Sequence, residues 1–117
     1  MADGSTTVTS LRERVADFVT ERGWKMYHNP KDLAIALSVE ASELLELFQW
    51  TRREEIDLKE PRLRSAIEEE LADVFIYALH MANSIECDLS EITLRKLAKN
   101  AKKYPVEGYR GRAREGV

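Results

Sequence analysis

Two acidic pairs could do chemistry in this chain: Glu40-Ala-Ser-Glu43 and Glu70-Leu-Ala-Asp73. Each has i,i+3 spacing, so on a helix its two carboxylates are neighbours. At about 100° per residue, Leu33, Leu37, Leu44, Leu47 and Phe48 form an apolar stripe, with Glu40 inside it and Glu43 on its edge. Leu63, Ile67, Val74, Tyr77, Met81 and Ile85 form another, with Glu70 inside it and Asp73 on its edge. A carboxylate inside an apolar stripe is costly unless something compensates it. Four hard oxygen donors without His or Cys suit Mg²⁺, or Mn²⁺, rather than zinc or copper. Mg²⁺ keeps several waters and works with substrate phosphates. A site of this kind can neutralise a polyphosphate and help make a nucleophile from water.

A bland role for the acids is weaker. A single i,i+3 pair is usually a solvated face, as on a helical interaction module that catalyses nothing. Two pairs that both intrude on apolar stripes argue against that. A di-iron carboxylate bundle uses Glu-x-x-His, but here the fourth position is Glu43 or Asp73, and His80 lies seven residues beyond Asp73. Glu46 and Glu69 point away from the stripes, and Glu68 is a turn from Asp73, so all three are secondary.

Helices must position these groups. Gly (5) and Pro (3) are too scarce for a turn-rich β fold, and strand-like alternation is lacking. Ser10 with Glu13 forms a capping box, and Gly23 is a stop, giving a first helix over about 10–22. Asn29-Pro30 opens a second, which continues to about Thr51. A charged linker, 51–60, follows, with room for one turn. Pro61 opens a third helix to about Glu86, and Asp88 with Glu91 caps a fourth over 89–103, whose apolar side is Leu89, Ile92, Leu94 and Leu97. The second and third helices superpose with a shift of thirty residues. Two helices buried in similar places account for that better than an internal repeat. The expected fold is all-α, a four-helix bundle with two long central antiparallel helices. It occupies 10–105, between a disordered leader, 1–9, and a basic tail, 106–117.

Aromatic and basic groups supply possible partners for a ligand. Trp24 and His28 precede the second helix, Trp50 ends it, and Tyr77 lies one turn beyond Asp73. Each can hold a planar ring, or simply pack. Lys96, Asn100 and Lys103 share one face of the fourth helix. They can meet phosphates as point charges, although a basic helix end also complements the helix dipole. The net charge of −3 names no partner, and the basic stretch is too short for a nucleic-acid surface. With 44% apolar residues in 117, the chain can build a small core that oligomerisation would enlarge. Residues 1–10 do not read as a signal peptide, and Leu71–Ile85 is too short and too polar to span a bilayer. The single cysteine, Cys87, fits a cytoplasmic protein.

The pattern Glu40-x-x-Glu43, followed after 26 residues by Glu70-x-x-Asp73, resembles the signature of the MazG-like all-α nucleotide pyrophosphohydrolases. The segments His28–Leu33, Glu43–Trp50, Glu69–Tyr77 and Asn100–Val106 are similar to the dCTP pyrophosphatase branch, and the likeness spans about Leu11 to Arg112. It implies a helical bundle assembling as a homodimer or homotetramer. It also implies Mg²⁺-dependent hydrolysis of a nucleoside triphosphate, dCTP or a related or modified pyrimidine, to monophosphate and pyrophosphate. By this likeness Glu40, Glu43, Glu70 and Asp73 are metal ligands, and Glu40 or Glu43 orients or deprotonates the water. Trp24, His28, Trp50 and Tyr77 fall at base or sugar contacts, and Lys96, Asn100, Lys103 and Tyr104 at phosphate contacts. Ser42 departs from the pattern, where many relatives carry Gly.

Overall fold

A computed structural model describes residues 1–111. Among them every regular element is helical, and no helix is long and apolar enough to cross a membrane. The α-helices are α1 (Val8–Glu21), α2 (Pro30–Glu46), α3 (Pro61–Ile85), α4 (Leu89–Lys103) and the single turn α5 (Val106–Tyr109). Short 3-10 turns lie at Ala2–Gly4, Lys25–Tyr27 and Arg53–Glu55. The expected four helices thus become five, because Val106–Tyr109 in the expected tail closes a helical turn after Pro105. The part of that tail beyond Gly111 lies outside the described residues.

Two compact units can be described, Met1–Glu86 and Cys87–Val117. In the first, α3 packs against both α2 and α1, most extensively against α2. Val19, Leu33, Leu79 and Ala82 are its fully buried apolar residues. Burying Leu33 and Leu79 stabilises the unit by roughly 1.5–3 kcal/mol each. The predicted stripes are found: Leu37, Leu44, Leu47 and Phe48 on or just after α2, and Leu63, Ile67, Val74, Tyr77 and Met81 on α3, are at least half-buried. Ile85 is the exception at 53% exposure, since α3 ends there and little remains to cover it.

Caps explain the helix starts. Thr7, not Ser10, caps α1: its Oγ1 accepts from the Ser10 N–H (3.1 Å), so the helix begins inside the segment expected as a leader. The Asn29 side chain accepts from the Asp32 N–H (2.9 Å), with Pro30 in the first turn of α2. Before Pro61, the Glu60 carboxylate accepts from Arg62 N–H (3.2 Å) and Leu63 N–H (2.6 Å). α1 stops at Gly23 as predicted, with φ +66°. Gly23 N–H donates to the Thr20 carbonyl and Trp24 N–H to the Val19 carbonyl, the paired bonds of a Schellman cap. That cap sets Trp24 against Phe18, ring centroids 5.9 Å apart.

α2 ends five residues before Thr51. From Leu47 on, the backbone tightens: Phe48 N–H donates to Leu45 and Gln49 N–H to Glu46, bonds of 3-10 type. Trp50 therefore lies in a turn. Arg12 and Asn83 tie α1 to α3: Arg12 Nε donates to Asn83 Oδ1 (2.9 Å) and Nη2 to the Ala82 carbonyl (3.1 Å). Asn83 Nδ2 donates back to the Arg12 carbonyl (3.1 Å). Ser84 Oγ donates to the His28 carbonyl (3.2 Å), which fixes the connector.

In the second unit Asp88 caps α4 through the Glu91 N–H (2.8 Å), as predicted. Leu89 and Ile92 are half-buried, but Leu94 and Leu97 are exposed. Tyr104 and Tyr109 meet edge to face at 5.1 Å.

Candidate metal and nucleotide site

α2 and α3 bring the acids together. One carboxylate oxygen from each of Glu40, Glu43 and Glu70 lies within 4.8 Å of the others, and all three residues are half-buried. Glu40 Oε2 and Glu70 Oε2 are shut off from solvent and, among the described residues, accept no hydrogen bond. Unpartnered buried carboxylate oxygens demand a proton or a cation. Burial, foremost, pushes the Glu40 carboxyl up to about 7, aided by the hydrogen bond and charge of Glu43, then by Asp73 and Glu70. Glu70 is raised for the same first reason, with Glu43 next. Asp73 stands outside the tight trio but close enough to raise both. A set of hard oxygens, two of them orphaned, fits a magnesium-like cation.

Asp73 also faces a cavity of about 310 Å³. α3 contributes Asp73, Ile76, Tyr77 and His80, and the connector contributes Trp24 and His28. The remaining wall is α1: Arg14, Val15, Phe18 and Val19. Three of the four predicted ring-holding residues, Trp24, His28 and Tyr77, thus share one pocket with Asp73. Trp50 does not line it: it is 90% exposed on the turn after α2. The pocket is large enough for a small organic ligand, largely apolar and crossed by a few polar groups.

Six pocket residues were not expected from the sequence as part of a site: Arg14, Val15, Phe18, Val19, Ile76 and His80. His80 is buried and stands edge-on to His28 (centroids 4.5 Å) and to Tyr77 (5.5 Å). Burial, then the charge of His28, pushes His80 down to about 4. Burial also lowers His28. Both rings are therefore uncharged at neutral pH and present a neutral polar edge. A signal for His80 was available: seven residues past Asp73 and three past Tyr77, it shares their face of α3. Phe18 is held under the Arg22 guanidinium, 3.6 Å from its ring centre.

The secondary acids are solvent-facing. Glu68 pairs with Arg64 at 2.8 Å, while Glu46 and Glu69 are exposed. Lys96, Asn100 and Lys103 on α4, and Tyr104 at its end, belong to the second unit. There Lys103 Nζ lies 5.4 Å from the Tyr104 ring centre, and Lys96 is exposed.

A model of the MazG-like family matches residues 35–116. The chain is 40% identical to dCTP pyrophosphatase 1 of Bos taurus over 109 residues, which is 92% of this chain and 64% of that protein. It is 38% identical to the Homo sapiens protein of the same name over 111 residues, 93% of this chain and 65% of that one. It thus spans somewhat under two thirds of these relatives. Among solved structures it resembles a pyrophosphatase from Archaeoglobus fulgidus, with 41% identity and a TM-score of 0.69, covering 80% of this chain and 87% of that one. With a family model matched over most of its length and relatives of this identity, this chain belongs to the MazG-like family.

Proposed function

We propose that this protein hydrolyses a nucleoside triphosphate to the monophosphate and pyrophosphate, with Mg²⁺ as cofactor and dCTP or a related or modified pyrimidine nucleotide as substrate. One observation carries the proposal: two orphaned carboxylate oxygens, Glu40 Oε2 and Glu70 Oε2, in a converging trio, joined through Asp73 to an aromatic cavity. A solvated acidic face on an interaction module would not bury those oxygens. The names of the relatives support the reaction class.

Glu40, Glu43, Glu70 and Asp73 would hold the cation. When bound, Mg²⁺ supplies charge neutralisation of the phosphates and a more acidic water. Glu40 or Glu43 orients or deprotonates the water that attacks the α-phosphorus, pyrophosphate leaving on the opposite side. A cation on the cluster would displace the proton that burial holds on Glu40, leaving its carboxylate free to accept one from water. Trp24 and Tyr77 flank the ring of the base, and the uncharged His28 offers it an edge. Lys96, Asn100, Lys103 and Tyr104 are proposed phosphate contacts on the family resemblance. The assembly is proposed to be a homodimer or homotetramer, and the role nucleotide-pool house-cleaning.

Pyrophosphate release across a panel of canonical and modified triphosphates, with Mg²⁺ and with chelator, tests this. Glu40→Gln and Asp73→Asn are each expected to lower kcat by at least roughly a hundredfold. Wild-type rates in either variant would remove the site assignment, and equal rates on all nucleotides would remove the preference for dCTP.

A further inference from the structure

Arg14 belongs to the cavity but has no part in the hydrolysis proposed for the carboxylates. It lines the same pocket as Asp73, Trp24, Tyr77 and His80. Its side chain is exposed. Among the described residues it forms no hydrogen bond, ion pair or ring contact, unlike Arg22 and Arg64, which are held by their own helices. With both cavity imidazoles lowered by burial, Arg14 is the one cation on the pocket wall at neutral pH among those residues.

Its place along the pocket follows from its neighbour. Arg12, two residues before it, is bonded to Asn83 and to the Ala82 carbonyl, which anchors this part of α1 beside the last turns of α3. Glu70 lies thirteen residues before Asn83, about 20 Å away along the axis at the helical rise. That is further than an arginine side chain reaches. Arg14 therefore lies towards the end of the cavity away from Glu70, and of the four carboxylates Asp73 alone shares the cavity wall with it. If the phosphates sit by Asp73, that end receives the base.

A guanidinium is a planar fork of donors with no acceptor. It pairs at full strength with two adjacent acceptors. Among the pyrimidines only cytosine presents such a pair, O2 beside N3. Uracil and thymine carry an N3–H donor between their carbonyls, which would meet the fork donor against donor. The aromatic walls can hold the faces of the ring, leaving its edge to be read.

We propose that Arg14 determines base specificity: its guanidinium donates two parallel hydrogen bonds to O2 and N3 of a cytosine held in the cavity. This rests on the nucleotide reading of the site. A methyl group at C5 leaves both acceptors in place, so 5-methylcytosine is read in the same way.

The test measures kcat and KM for dCTP, 5-methyl-dCTP, dUTP and 3-deaza-dCTP, which lacks the N3 acceptor. It uses the wild type, Arg14→Leu and Arg14→Lys. The wild type should prefer both cytosine nucleotides. Each variant should lower kcat/KM for dCTP roughly 10- to 100-fold, mainly through KM, and bring the dCTP to dUTP ratio towards one. Arg14→Lys keeps the charge and loses the fork, so it should resemble Arg14→Leu. Replacing N3 should cost the wild type and not Arg14→Leu. Losses of equal size on dCTP and dUTP, or full retention of the ratio in either variant, would overturn the assignment. Failure of the underlying reading looks different: the wild type would release pyrophosphate from no triphosphate. Calorimetric binding of dCMP against dUMP would then still decide the role of Arg14, which stands only if the wild type prefers dCMP and Arg14→Leu does not.

Discussion

Glu40 and His80 titrate in opposite senses, and both senses can be measured. An unfolded Glu40 would release its proton near 4.5, whereas the folded carboxyl holds it to about 7, chiefly through burial. The folded state thus binds the proton more tightly, and without a cation stability falls as pH rises from 4.5 through 7. A divalent cation competes with that proton. Mg²⁺ should therefore raise the melting temperature more at about pH 8 than at about pH 5.5, and Glu40→Gln should flatten both the loss and the rescue. A thermal shift series with Mg²⁺ or chelator at the two pH values checks this. His80 runs the other way: its folded value near 4 lies below the ordinary 6.5. Its contribution is complete above 6.5 and is lost as pH falls towards 4. Urea unfolding at about pH 7 and about pH 5 should show that loss, and His80→Gln should lessen it. The acids were legible in the sequence because a charged group inside an apolar stripe contradicts its surroundings. His80 was legible only in part: its spacing from Asp73 and Tyr77 puts it on their face of α3, but a single histidine on an apolar helix face reads as core, and its partner His28 lies 52 residues away in the chain.

At the scale of elements, helix ends decide where the functional side chains point. The Gly23 cap turns the chain so that Trp24 meets Phe18 and both enter the cavity wall. At φ +66° a Cβ is strained, though it would meet nothing within 4 Å. Gly23→Ala should cost about 1 kcal/mol and lower the melting temperature by roughly 4 °C. Glu86 ends α3 in the same left-handed region, φ 56°, without being glycine. Glu86→Gly should leave the fold intact and raise stability by about 0.5–1 kcal/mol in urea titration. The contrast shows which boundaries a sequence discloses. Gly23 and the Asn29-Pro30 and Pro61 starts are punctuation that can be read. The end of α2 at Glu46 has none: no Gly or Pro stands between Lys31 and Glu60, and the helix tightens into 3-10 turns through backbone bonds alone. Trp50 was misplaced for that reason. Thr7 was missed because Thr6, Thr7, Thr9 and Ser10 all offer a capping hydroxyl, and only the half-buried Val8 favours the earlier start.

The molecule as a whole leaves much apolar surface uncovered. Ile35 and Val39 are one turn apart on α2, Leu71 and Phe75 one turn apart on α3, and all four are 44–55% exposed. A chain of 117 residues with few fully buried side chains does not conceal such surface by itself. This supports the proposed homo-oligomer. Leu71→Glu and Phe75→Glu should shift sedimentation of the purified protein from a multimer towards a monomer, whereas a wild type already monomeric at micromolar concentration would rule the assembly out. The all-helical class was legible from periodicity. The end of α3 at Glu86 was legible too, from the Asp88–Glu91 cap that follows it, although a left-handed glutamate stands there in place of a Gly or Pro signal.

Finally, α3 carries groups of both kinds: Glu70 and Asp73 for the cation, Tyr77 and His80 for the pocket. One rigid rod therefore sets the spacing between them, about 10 Å from Asp73 to His80 at the helical rise. The genetic consequence is an asymmetry in what this stretch tolerates. Replacing exposed Ala72 changes one side chain and leaves the spacing alone. A single codon inserted or deleted between Asp73 and Tyr77 turns everything after it by about 100°, so cation ligands and pocket residues could no longer face the same ligand. The gene should accumulate substitutions in this segment long before it accepts a change in length.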